Sequence, residues 1–104
     1  MSIMIVGGDS LGSIEKNVKE LGFDDIKHLT GRKKSKFRNL YLSQEIDLVL
    51  VMTDYINHAV MKKVKKAVKS QDLNVVYAKR SWASIYKKLK LKGLINQSSK
   101  SLAL

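Results

Sequence analysis

Neither cysteine nor proline occurs in this chain of 104 residues. Without cysteine there is no disulfide scaffold, no cysteine zinc site and no thiolate nucleophile, and such a composition fits a reducing interior. Acidic residues are scarce: 9 Asp and Glu stand against 20 Lys and Arg, a net charge of +11. Long apolar runs are missing as well. The opening stretch from Met1 to Val6 is apolar but far too short for a signal-peptide core, and no run approaches a membrane span. The expectation is a soluble, cytoplasmic protein without a membrane partner. Its basic excess implies either an anionic partner or a solvated basic surface.

What remains is ordinary for a globular domain, with 44% hydrophobic and 28% charged residues. The length supports one core and is small for an enzyme with a separate substrate domain. We expect a single domain over 1–93 and a Ser-rich tail over 94–104 that is flexible or docked on a partner chain.

The chain is organised around the run Ile46 to Met52. It is almost continuously apolar and rich in Val, Leu and Ile, which predicts a central parallel strand covered on both faces. A polar turn, Thr53 to His58, follows. Beyond it Val60, Val64, Ala67 and Val68 recur at helical spacing to about Ser70. Earlier, Ser2 to Val6 predicts a first strand and Gly7-Gly8-Asp9-Ser10-Leu11-Gly12 a tight turn. Ile14, Val18 and Leu21 then mark a helix that Gly22 stops. Asp24 to Leu29 predicts a second strand, with Ile26 and His28 on one face and Lys27 and Leu29 on the other. Five basic residues crowd the seven positions from Arg32 to Arg38, in a connection with space for one short helix around 37–42. Leu73 to Ala78 predicts a fourth strand. Ser81 is placed to cap a last helix from Trp82 to Leu91.

Strands alternating with helices define an α/β domain. Right-handed crossovers give a four-stranded parallel sheet of order 2-1-3-4 flanked by about three helices, a Rossmann-like or flavodoxin-like architecture. One geometric consequence bears on function. Every loop that follows a strand lies on the same rim, where open α/β sheets bind ligands. That gathers Gly7, Gly8, Asp9, Ser10, Thr30, Arg32, Thr53, Asp54, Tyr55, Asn57, His58, Arg80, Ser81 and Trp82.

No enzyme template is complete among these residues. The glycine spacing is Gly-Gly-x-x-x-Gly, not the dinucleotide fingerprint Gly-x-Gly-x-x-Gly. It serves a phosphate, or it simply makes a tight strand-to-helix turn. Ser10 with His58 has no Gly-x-Ser-x-Gly elbow to activate it. Two histidines without a His-x-x-x-His pair do not make a mononuclear zinc site. The expectation is a binding module, with no catalytic residue named.

Gly7-Gly8-Asp9, His28-x-x-Gly31-Arg32, Thr53-Asp54-Tyr55-Ile56-Asn57-His58 and Arg80-Ser81-Trp82 together resemble the small bacterial family called domain of unknown function 2325. The resemblance covers about residues 2 to 90. It implies a Rossmann-like fold and, because some members bind haem, a b-type haem site used in oxygen or redox sensing. Such a site needs an axial donor, a flat slot and cations for two propionates. His58 is the first choice for the iron and His28 the second, unless His28 is a packed strand histidine bonded to backbone. Arg32 and Arg80 suit the propionates. Either arginine reaching the iron's sixth position would first have to lose its proton, at about 8 to 9 kcal/mol near neutral pH. Gly7, Gly8, Asp9, Ser10, Thr53, Asp54, Tyr55, Asn57 and Trp82 complete the expected cofactor contacts, with Ile56 and Met52 able to line a ring slot or join the core. One small domain can hardly enclose a porphyrin, so a homodimer sharing the site is expected. No Cys-x-x-Cys-His is present, which excludes covalent attachment.

Two rival readings remain from the residues alone. The first is a regulatory domain holding a nucleotide or another phosphate-containing ligand through Gly7 to Gly12, Arg32 and Arg80. The second is a basic nucleic-acid-binding protein, which lacks aromatic interleaving and any helix-turn-helix or RNP motif.

Overall fold

The uninterrupted apolar run Leu48 to Met52 is stable only where both faces of its strand are covered, and the computed structural model places it so. The structure describes residues 1–30 and 45–93. The expected helix around 37–42, Arg32 with its neighbouring lysines, and the tail over 94–104 lie outside the described residues. The element order is β1 (Ser2–Val6), α1 (Ser13–Glu20), β2 (Asp25–Leu29), β3 (Leu48–Met52), α2 (His58–Ser70), β4 (Val75–Ala78) and α3 (Trp82–Leu91). All strand pairs are parallel and the sheet order is β2-β1-β3-β4. All five residues of β3 are buried.

The sheet separates two cores. Ile3, Ile5, Leu48, Leu50, Met52 and Val76 face one side, where Ile14 and Val18 of α1 and Ile85 and Leu89 of α3 cover them. Met4, Val6, Val49 and Val51 face the other, against Val60, Val64, Ala67 and Val68 of α2. Moving from β1 to β2 under α1, and from β3 to β4 over α2, keeps both crossovers at one hand. This is the doubly wound arrangement that parallel sheets require.

Local chemistry sets the helix starts. The Asn57 side chain accepts from the Ala59 amide at 2.7 Å and caps α2. The Ser81 hydroxyl accepts from the Ser84 amide at 3.1 Å and caps α3. The polar turn expected between β3 and α2 contains a short 3₁₀ segment, Thr53–Tyr55. Ile46 is buried yet lies outside β3, which starts two residues later than its apolar run. Apolar character marks burial and does not by itself set where ladder pairing begins. Leu73 likewise packs against the α2 core ahead of β4. Among the described residues no helix is long and apolar enough to cross a membrane.

Candidate functional site

In the order β2-β1-β3-β4 the chain leaves β1 in one direction and leaves β3 in the other. The loops after these two strands therefore diverge and leave a crevice between them. An open cleft of about 600 Å³ occupies that place, lined by Gly8 and Asp9 after β1, Thr30 after β2, and Asp54, Tyr55, Ile56 and Asn57 after β3.

The loop after β1 can pass this close to β3 only because it carries glycine. Gly7 and Gly8 have φ of 113° and 72°, values that side chains disfavour. A Cβ on Gly8 would stand 3.2 Å from Met52 Cε and 3.4 Å from Arg80 Nε. The amides of both glycines are occupied within the fold. Gly7 donates to the Leu29 carbonyl at 2.8 Å and Gly8 to the Tyr55 carbonyl at 3.0 Å. Here the glycines lace three strand ends together.

Arg80 braces the same loops from the fourth strand. Its Nη2 donates to the Ser10 carbonyl at 2.7 Å, and its backbone amide donates to Asp54 Oδ1 at 2.8 Å. Its guanidinium carbon stands 5.7 Å from the centre of the Tyr55 ring, within cation–π range. Arg80 does not line the cleft; it backs the loops that do. Replacing it with methionine, which keeps the apolar stem and loses the fork, is expected to destabilise the domain by about 1 kcal/mol. Urea unfolding measures this, and an unchanged midpoint would show that the Ser10 bond contributes nothing.

The two histidines have different surroundings. His28 is half-buried, and its Nε2 lies 2.8 Å from the Gly7 carbonyl. A carbonyl only accepts, so Nε2 carries a proton and donates it to Gly7. His28 is thus a strand histidine with one ring nitrogen bonded to backbone. His58 is exposed and begins α2. It lies outside the lining of the cleft and beside a separate, mostly apolar hollow of about 500 Å³, with Ala59, Lys62 and Lys63.

The remaining expected residues divide in the same way. Thr53 is exposed and its hydroxyl donates to the Ala78 carbonyl at 3.4 Å, tying β3 to β4. Met52 is fully buried. Trp82 packs half-buried against the α1/α3 core, 5.9 Å from the Tyr86 ring, and does not line the cleft. Arg32 lies outside the described residues. Thr30 and Ile56 do line the cleft, and position alone marks them, since one follows β2 and the other precedes the α2 cap. Lys62 and Lys63 share the hollow of His58. The signal for Lys62 was its spacing, one helical turn after that histidine.

Fold and crevice together define a single doubly wound α/β domain with an open cleft at its switch point. A family model described as "Uncharacterized protein conserved in bacteria (DUF2325)" matches residues 2–91, and the chain belongs to that family. No curated protein and no solved structure matches it.

Proposed function

We propose that this protein is a non-enzymatic haem b-binding module in which His58 supplies the axial imidazole. The observation that carries the reading is the situation of that ring. It is exposed, makes no hydrogen bond within the described residues, and borders a mostly apolar hollow. His28, by contrast, has its Nε2 committed to Gly7. The donor set is compatible with the group: a neutral imidazole for iron, with two ammonium groups, Lys62 and Lys63, beside it for propionates. Arg80, expected from sequence in the propionate role, has one end of its fork engaged by Ser10, so the lysines are better placed. When bound, haem b supplies reversible gas binding or one-electron redox chemistry, which suits an oxygen or redox sensor. The hollow is open and covers only one side of a flat ligand. A second copy of the chain would cover the other, and this is the basis for a homodimer.

Titration with hemin, followed by its visible absorption, tests the proposal. Saturable binding with a Soret band that shifts on reduction is expected. His58→Ala should change both ferric and ferrous spectra, whereas His28→Ala should leave them in place. Unchanged spectra for His58→Ala would remove it as the axial ligand, and absence of saturable binding would remove haem altogether.

A nucleotide is the second reading, and a different observation favours it. The cleft of Gly8, Asp9, Thr30 and Asp54 to Asn57 stands at the switch point, where doubly wound sheets hold such ligands.

A further inference from the structure

Charge is divided unevenly along this chain. Of the 9 acidic residues only Asp72 lies beyond Asp54, whereas 12 of the 20 Lys and Arg do. The net charge of +11 therefore belongs wholly to the part from Tyr55 onward, which supplies α2, β4 and α3. Within it α2 is densest: its 13 residues hold Lys62, Lys63, Lys65, Lys66 and Lys69 and no Asp or Glu. Val60, Val64, Ala67 and Val68 are buried against Met4, Val6, Val49 and Val51. The lysines take the outward side, where Lys62, Lys65, Lys66 and Lys69 are exposed. Spacings of three and four residues make them neighbours, about 5 to 6 Å apart at Cβ. None of them forms an ion pair among the described residues. Like charges so placed repel one another, a cost that a merely solvated face avoids by mixing signs.

We propose that the outer face of α2 binds a single-stranded nucleic acid, with its ammonium groups on the phosphates and no base sequence read. Lysine is a flexible point charge, which suits a phosphate backbone and positions a strand without selecting it. A second observation narrows the occupant. Lys65 Nζ stands 5.6 Å from the centre of the Tyr77 ring on β4, and that ring is half-buried. Residues 65 and 77 are far apart in sequence, so the sheet supplies the aromatic interleaving that the sequence lacks. An unpaired base can pack against such a ring while its phosphate meets the ammonium. A duplex keeps its bases stacked on one another, and an acidic peptide offers the ring no flat partner. An anionic membrane surface is a poorer match, because the apolar side of α2 is already buried in the core and leaves nothing to insert. The proposal is independent of the haem reading, since Lys65, Lys66 and Lys69 do not line the hollow of His58.

Fluorescence anisotropy of the full chain with a labelled oligouridylate of about 20 nucleotides, longer than one site, tests this. Binding should be saturable at about 50 mM salt and should weaken as salt rises towards about 200 mM. With four lysines on phosphates, the slope of log K against log salt should be about −3. Lys66→Gln with Lys69→Gln should weaken binding about tenfold and reduce that slope by about 1.5. Gln is as good a helix former as Lys, so the circular dichroism spectrum should not change. Arginine at the same two positions should retain binding. Lys16→Gln with Lys19→Gln removes the same charge from α1, on the opposite face of the sheet. That pair should cost less than about twofold, because salt screens charges so distant. Tyr77→Leu should weaken binding about threefold and leave the slope unchanged, since a stacking contact releases no counterion. Equal losses for the α1 and α2 pairs would mean that diffuse charge binds, and would overturn the assignment to α2. Tighter binding of a DNA duplex, of oligoglutamate or of phosphatidylglycerol vesicles would replace the single strand as the occupant. Absence of saturable binding at the lower salt would remove nucleic acid altogether. None of these outcomes alters the hemin experiment, which reads the hollow of His58.

Discussion

Gly7→Ala is expected to destabilise the domain by about 3 kcal/mol or more, lowering Tm by on the order of 10–20 °C. The residue is buried at the end of β1 with φ of 113°. An added Cβ would lie 3.0 Å from the Met52 carbonyl oxygen, 3.1 Å from the Tyr55 carbonyl oxygen and 3.3 Å from Met52 Cβ. Two of these are main-chain atoms at the end of the central strand and in the turn beyond it. They cannot swing aside as a flexible side chain would, so backbone strain and displacement add. Gly8→Ala is the contrast. Its nearest neighbours are Met52 Cε at 3.2 Å and Arg80 Nε at 3.4 Å, the far parts of long side chains. There the cost should fall to about 1–2 kcal/mol, mostly from the left-handed backbone. Thermal unfolding of the two variants orders them. Equal losses would mean that contact with the Met52 and Tyr55 main chain does not decide the matter, and that the close approach of the β1 loop to β3 is less rigid than described.

Leu50→Ala should cost about 3–4 kcal/mol, comparable to half the stability of a small domain. Leu50 is completely buried in the middle of β3 and belongs to the core beneath α1 and α3. Its strand is hydrogen-bonded on both sides, to β1 and β4, so the backbone cannot collapse into the space left behind. Lost transfer energy and an unfilled cavity therefore act together. The urea midpoint should drop while the dependence on denaturant stays constant, because the unfolded surface is nearly the same. Leu91→Ala, at the 72% exposed end of α3, should shift stability by no more than about 0.5 kcal/mol. A loss of similar size at both positions would contradict the placement of the core.

The architecture was legible from local signals. Five consecutive apolar residues from Leu48 to Met52 could be stable only in the middle of a covered sheet, and β3 is buried throughout. The stripe of Val60, Val64, Ala67 and Val68 identified α2 and its inner face. Order 2-1-3-4 followed from alternation of strand and helix with the handedness of crossovers. Boundaries were less legible. Ile46 is buried and Leu73 half-buried beside the sheet without belonging to it, because burial and ladder pairing are separate requirements.

The rim was legible as an address and not as an arrangement. That Gly8, Asp9, Tyr55 and Asn57 share a cleft follows from their positions after parallel strands. Which groups are already occupied does not follow from position. Arg80 and Ser10 are 70 residues apart in sequence, yet their hydrogen bond turns a free cation into a brace. His28 and Gly7 meet in the same way, 21 residues apart, and this commits one imidazole nitrogen while the His58 ring makes no hydrogen bond among the described residues.

Element type, core faces and strand order were thus properties of the sequence alone, because hydrophobic periodicity and chain handedness act within a few tens of residues. The division of the described rim into a cleft at the switch point and a separate hollow beside His58 arose only on folding. Hydrogen bonds between distant loops decide which donors and acceptors are spent, and only the packed sheet brings those loops together.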